Sequence, residues 1–217
     1  MKENIILFDL DGTLIDSTDA IVSTFYHTFD EMNYTFEGKD EDIKALIGHP
    51  LEIMFQELGV EQEVVWDFVN SYKNQYKLIS KEQTELLKDA KQALQLAKSF
   101  ARLAVVTTKT GSSSVALLEH LDIMHYFEFV TGREHVKHPK PHPEPILKTL
   151  ALMSIEKTSN IWMVGDTHLD LISAGSAGIN SVGVLCGYGQ ESDLEEFTEF
   201  ITSNSLEAVK LIQKFKI

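Results

Sequence analysis

The chain has 217 residues, 43% hydrophobic and 24% charged, a composition ordinary for a globular protein of one large domain or a main domain with a smaller insert. Its formal charge of −14 opposes non-specific binding to nucleic acid and adhesion to anionic lipid, yet admits small anionic ligands wherever local cations meet them. Cys186 is the single cysteine, which excludes an intrachain disulfide. No apolar run approaches a membrane span and the Lys2-Glu3-Asn4 start is unlike a signal peptide, so a cytoplasmic protein is expected.

The first predicted strand, Ile5–Phe8, runs directly into Asp9-Leu10-Asp11-Gly12-Thr13. Two carboxylates so close together repel, and each is costly to desolvate without a positive partner. Alone, D-L-D-G has other readings. A calcium loop also uses spaced Asp and a Gly, although here the third acidic ligand and the closing Glu are missing. An acidic turn built around Gly12 fits as well. Leu14-Ile15-Asp16-Ser17 then reads as a hinge.

Residues 16–81 contain no comparable strand run. Their amphipathic patterns, Val22/Phe25/Phe29/Met32, Ile43/Leu46/Ile47, Met54/Phe55/Leu58 and Val65/Phe68/Val69/Tyr72, are separated by Gly38, Gly48-His49-Pro50 and Gly59. They predict a small helical bundle inserted after the first strand and lying over the strand ends as a lid. The Gly48-His49 turn is either a substrate contact or a plain connection between helices. Trp66 sits in an apolar pattern and is expected in the core, as is Trp162.

Beyond the insert, Ala90, Leu94 and Ala97 share a helical face before the strand Leu103–Val106. Thr107 follows at the sheet edge. Thr108 and Lys109 read as loop residues, Thr108 with a hydrogen bond to offer a phosphate. Ser112, Ser113 and Ser114 mark a helix start, where capping is their expected task. That helix shows Val115, Leu118 and Leu121 on one face and leads to a strand at Phe127–Val130. In His138-Pro139-Lys140-Pro141-His142-Pro143-Glu144-Pro145 the prolines stiffen the backbone and hold the Lys in a defined position. His135, His138 and His142 lack zinc-site spacing and read as surface histidines.

A helical stripe of Ile146, Leu147, Leu150 and Ala151 precedes the strand Ile161–Val164, and Gly165-Asp166-Thr167-His168-Leu169-Asp170 adds two more carboxylates. Ser181–Leu185 is the last predicted strand. The alternation of strand and helix reads as an α/β domain with a doubly wound parallel sheet, in which ligands collect at the carboxyl ends of the strands.

Taken in order, DLDGT, Thr107 closing the second core strand, Lys140 within KPHPEP, and GDTHLD followed by Ala177-Gly178-Ile179 resemble the haloacid dehalogenase-like hydrolase superfamily across nearly the whole chain. The helical insert, the IGHPL turn and PKPHPEP look most like phosphoglycolate phosphatases and bacterial pyrophosphatases. The resemblance implies a Rossmann-like core over residues 1–15 and 82–217, with a helical cap domain over 16–81. It implies Asp9 as nucleophile and Asp11 as general acid and base. Mg²⁺ would be held by the Asp9 side chain, the Asp11 carbonyl and Asp166. Lys140 and the Thr107 hydroxyl would face the transferring phosphoryl group. Asp170 would orient Lys140 or a metal-bound water, and its alternative is a plain helix-surface Asp. Thr108, Gly48 and His49 would contact substrate.

The implied partner is a small phosphorylated metabolite, first 2-phosphoglycolate, with pyrophosphate or a nucleoside monophosphate as alternatives. Nucleic acid and membrane are not expected, and the chain is expected as a monomer or homodimer. Dehalogenases lack the second Asp of the pair. Mutases carry an early cap histidine where Asp19-Ala20-Ile21-Val22 stands here, with His27 nearby. Phosphonate hydrolysis needs a Schiff-base lysine, for which Lys39 and Lys44 show no pattern. A silent binding protein is the reading from another class, but every expected catalytic position is filled. Two departures stand out. The return from cap to core, Thr84 to Ala90, lacks the usual Pro and Gly, and Arg133 has no account in the sequence.

Overall fold

The computed structural model describes residues 4–155 and 160–215; the Lys2-Glu3 start and the outermost residues of the expected core span lie outside them. Strand β1 (Asn4–Phe8) is buried along its whole length. Its alternating side chains enter two different cores: Ile6 and Phe8 on one face, Ile5 and Leu7 on the other. A strand covered on both sides has no polar face, which is why its sequence is a continuous apolar run.

Five further strands join it: β4 (Arg102–Val106), β5 (Phe129–Thr131), β6 (Asn160–Gly165), β7 (Asn180–Val184) and β8 (Ile201–Thr202). The spatial order is β5-β4-β1-β6-β7-β8, and every pairing is parallel. Helices α5 (Ala90–Lys98), α6 (Gly111–His120) and α10 (Ser205–Gln213) bury Leu94, Leu118 and Ile212 against one face. Helices α7 (Glu144–Leu152) and α8 (His168–Ala177) bury Ile146, Leu150 and Ala174 against the other. The short α9 (Glu191–Leu194) precedes β8. This is the doubly wound α/β sheet expected from the sequence. The winding reverses between β1 and β6, and Phe8 stands opposite both Val105 and Val164. Asp9, Thr107 and Asp166 therefore emerge at nearly one level, at the switch point where such sheets bind ligands.

The segment between β1 and β4 leaves the sheet and returns through a two-stranded antiparallel ribbon, β2 (Ile15–Asp16) and β3 (Glu85–Leu86). Leu87 N–H also donates to the Leu14 carbonyl at 3.0 Å. The ribbon explains how the return proceeds without Pro or Gly. Asp89 takes the left-handed conformation, φ 66°, that a glycine would otherwise supply.

Helices α1 (Thr18–Glu31), α2 (Asp40–Lys44), α3 (Leu51–Glu57) and α4 (Val65–Ile79) form the insert. Their apolar faces meet in an aromatic cluster: Phe25 lies 4.6 Å from Phe55 and 5.0 Å from Tyr72, and Phe29 stacks on Phe36 at 4.8 Å, between ring centroids. Among the described residues no helix is long and apolar enough to cross a membrane.

Several local expectations are corrected. The strand expected at Phe127–Val130 begins two residues later, because a 3₁₀ turn at Met124–Tyr126 occupies the approach. Phe127 is buried and meets Phe8 edge-on at 6.4 Å. On α7, Leu147 is 45% exposed; the buried face runs through Ile146, Thr149 and Leu150 instead. Trp66 is 54% exposed and outside the core, whereas Trp162 is buried. The serines of α6 do not cap it. The Glu134 carboxylate accepts from the Gly111 and Ser112 amides at 2.8 and 3.3 Å and does that work from a distant turn.

Phe25 is fully buried at the centre of the aromatic cluster. Phe25→Ala is expected to lower unfolding free energy by about 3–5 kcal/mol, read as a fall in the urea midpoint. A loss near zero would mean the insert does not depend on this cluster.

Candidate active site

The loop after β1 is wound tightly: the Leu10 carbonyl accepts from the amides of Thr13, Leu14 and Ile15. Gly12 has φ +79°, and a side chain there would collide with the Asp166 carboxylate. Only a glycine lets the first loop approach the loop after β6 this closely. Asp9, Asp166 and Asp170 are all buried, each offering a carboxylate oxygen within 4.8 Å of the others.

Lys140 answers part of that charge. Its Nζ lies 2.9 Å from Asp9 Oδ1 and 2.5 Å from Asp170 Oδ1, and it donates to the Val106 carbonyl at 3.1 Å. The proline-rich loop that presents it is held by Glu144, which accepts from the Lys137 and His138 amides at 2.9 Å. Burial alone would lower the lysine's pKa, but Asp170 and Asp9 outweigh it, so the ammonium is held charged. Asp170 is no surface residue. One oxygen meets Lys140 while the other accepts from the amide and hydroxyl of Thr167, so the carboxylate is pinned from both sides.

If all three carboxylates are ionised, one ammonium leaves two negative charges uncompensated. Burial, then Asp170, push the Asp9 carboxyl up to about 7 despite Lys140. Asp166 is raised well above the ordinary range by burial, Asp9 and Asp170, although Thr13 Oγ1 and the Tyr188 amide donate to it at 2.8 and 2.9 Å. Asp9 Oδ1 is near Lys140 Nζ but off the hydrogen-bond direction, and among the described residues no other partner reaches it. Buried carboxylate oxygens, a charge deficit of two and a donor set made only of oxygen suit a hard divalent cation.

Thr107 is buried at the end of β4 with its amide bonded to the Thr131 carbonyl at 3.0 Å. Its hydroxyl accepts from the Lys109 amide at 3.1 Å. The Thr108 hydroxyl instead reaches across to the insert, donating to the Gly48 carbonyl at 2.8 Å. Gly48 has φ +111°, and a side chain there would press on Thr167 and Leu169. The Gly48-His49 turn thus lies directly on the loops of the core. Burial and the neighbouring His168 lower the His49 pKa, which favours the neutral imidazole. His135, His138 and His142 are exposed as expected.

Between insert and core lies a cavity lined by Asp11, His49, Tyr72, Lys109 and Arg133 among others. Neither Lys109 nor Arg133 was expected at a site from the sequence. Lys109 Nζ lies 3.4 Å from Asp11 Oδ1 and is not a plain loop residue. Its sequence signal was its place two residues after Thr107, in a strand-end loop at the active edge of the sheet. Arg133 bonds Glu52 of α3 through Nε and Nη2 at 2.9 and 2.6 Å, so the residue without an account in the sequence ties the core to the insert. Nothing in either local sequence announces that pairing.

A model of the haloacid dehalogenase-like hydrolase family matches residues 6–184. The chain is 36% identical over 189 residues to the protein named probable phosphatase IndB of Dickeya dadantii, covering 84% of this chain and 81% of that one. It is also 36% identical over 188 residues to pyrophosphatase PpaX of Anoxybacillus flavithermus, covering 85% and 84%. Among solved structures, a haloacid dehalogenase-like hydrolase from Bacteroides fragilis superposes with a TM-score of 0.89 at 26% identity, over 95% of this chain and all of that one.

The raised carboxyls carry a consequence for stability. Without a cation, the folded chain keeps protons on Asp9 and Asp166 that the unfolded chain releases above pH ~4. The stability they contribute is present below that value and is lost as pH rises, for Asp9 through about 7. A bound cation offsets the loss. Thermal unfolding in magnesium chloride against a chelator is expected to show a Tm gain that grows from about pH 5 to about pH 8. A pH-independent gain, or none, would exclude these carboxylates as the ligands.

Proposed function

Because the chain belongs to the haloacid dehalogenase-like hydrolase family, a family whose phosphatases it matches over most of its length, we propose that it is a Mg²⁺-dependent phosphatase hydrolysing a small phosphate monoester through an aspartyl-phosphate on Asp9. The observation that carries this reading is the buried Asp9 carboxylate beside Lys140, with Asp166 and Asp170 within 4.8 Å and Asp11 two residues on at the cavity.

Asp9 attacks phosphorus as the bond to the leaving oxygen breaks, and protonated Asp11 gives that oxygen its proton. The alcohol leaves. Asp11, now ionised, takes a proton from a water whose oxygen attacks the same phosphorus; the bond to Asp9 breaks and inorganic phosphate is released. The Lys140 ammonium and the Thr107 hydroxyl are at hand for the phosphoryl oxygens, where negative charge concentrates. Asp170 keeps Lys140 in register. The Asp9 carboxylate, the Asp11 carbonyl and Asp166 would hold Mg²⁺, which supplies charge neutralisation and polarises the phosphoryl group when bound. Thr108, Gly48 and His49 border the space left for the leaving group.

For the substrate, 2-phosphoglycolate is the leading choice, resting on the resemblance of the insert's Gly-His-Pro turn and PKPHPEP to phosphoglycolate phosphatases. Pyrophosphate is the second reading, favoured by the relatives named pyrophosphatase PpaX. A nucleoside monophosphate remains a third.

Asp9→Asn is expected to lower kcat by about 10³-fold or more with the fold retained by circular dichroism, and Asp11→Asn by about 10²–10⁴-fold. Near-normal turnover in purified Asp9→Asn would sink the mechanism. A steady-state panel of phosphoglycolate, pyrophosphate, nucleotides and sugar phosphates is expected to give phosphoglycolate the highest kcat/KM. A value no better than for generic esters would remove it as the leading substrate.

A further inference from the structure

Lys109 is a second buried lysine at the strand ends, and its partners come from both sides of the cavity. Its Nζ lies 3.4 Å from Asp11 Oδ1, 2.9 Å from the Tyr76 hydroxyl and 4.2 Å above the centroid of the Tyr76 ring. Asp11 belongs to the core loop, whereas Tyr76 is on α4 of the insert, stacked on Tyr72 with ring centroids 5.6 Å apart. The lysine and aspartate side chains are only 11% and 12% exposed. A cation in so little water is held where its partners are, because leaving either one uncompensated costs several kcal/mol.

The geometry at Asp11 is one-sided. Oδ1 takes both the Lys109 ammonium and the Ser17 hydroxyl, the latter at the start of α1. Among the described residues no hydrogen bond falls on Oδ2, and Asp11 lines the cavity. The carboxylate is thereby fixed by one oxygen while the other is left for chemistry.

We propose that Lys109 is a positioning residue that holds Asp11 in its working orientation, and that Tyr76 makes this hold depend on the insert being docked. This rests on the phosphatase reading, in which Asp11 hands a proton to the leaving oxygen. When α4 lies against the core, Tyr76 covers Lys109 and keeps it against Asp11. Were α4 to move away, water would reach the pair and its attraction would fall steeply with the rise in local dielectric. Proton delivery is then tied to closure over the substrate, so that Asp11 is aligned only when a leaving group is enclosed with it.

Leaving-group dependence separates this role from a structural one. An aryl phosphate with an acidic leaving group, 4-nitrophenyl phosphate, departs as phenoxide and draws little on Asp11, whereas an alkyl phosphate such as 2-phosphoglycolate needs the proton. Steady-state kinetics of wild type, Lys109→Met, Lys109→Arg and Tyr76→Phe should be run on both esters, with Tm recorded for each. Lys109→Met is expected to lose at least about tenfold more kcat on the alkyl than on the aryl ester, Tyr76→Phe to show the same bias more weakly, and Lys109→Arg to recover part of it.

Equal losses on both esters, or none on either, would overturn the proposal while leaving the phosphatase reading intact. A wild type inactive on both would overturn that reading and the proposal with it. Should Lys109→Met fail to fold, Tyr76→Phe, which removes one oxygen, decides by the same ratio.

Discussion

Lys140 brings one positive charge into a pocket where Asp9, Asp166 and Asp170 bring three negative ones, and all four side chains are buried. Removing one member of such a group costs about 3–5 kcal/mol, a large part of the roughly 5–15 kcal/mol that separates folded from unfolded chains. The proline-rich loop, the Glu144 brace and the Thr167–Asp170 contacts all serve to keep that ammonium in place. With all three carboxylates ionised the balance is two charges short, and a pocket of buried oxygen donors with that deficit suits a hard divalent cation.

A second consequence is the division of labour among four aspartates. Asp9 and Asp166 face the shared deficit, with carboxyls raised by burial. Asp170 is saturated by Lys140 and Thr167 and serves as a brace. Asp11 stands apart at the cavity, where Lys109 and Ser17 hold one oxygen. Across that cavity, core and insert share polar contacts: Thr108 to Gly48, Arg133 to Glu52, Lys109 to Tyr76. The neutral Thr108 bond is worth about 1 kcal/mol net and the charged contacts about 1.5–3 kcal/mol each, while each aromatic side chain buried within the insert contributes about 1.5–3 kcal/mol.

Much of this was legible in the residues. Ile5–Phe8, Leu103–Val106 and Ile161–Val164 are buried on both faces, and such strands announce themselves as continuous apolar runs. Asp9, Thr107, Lys140 and Asp166 were readable because each follows a strand end or is fixed by prolines. The insert's helices were readable from their spacing, with Phe25, Phe55 and Tyr72 on the expected faces. The two-residue strands β2, β3 and β8 were not, since two residues carry no periodicity. Trp66 and Leu147 were misjudged because an apolar residue at the margin of a stripe says nothing about whether a neighbour covers it.

By itself, then, the sequence determined the winding of the sheet, the edge at which the carboxylates gather and the kind of chemistry they serve, because periodicity, strand ends and proline constraints are local properties. Only the tertiary structure decided which cation answers which anion. Asp9 and Lys140 are 131 positions apart, and Lys109 and Tyr76 are 33 apart on different layers. Charge pairing at such separations depends on register and packing, as does the burial that makes the pairing matter, and no local pattern encodes either.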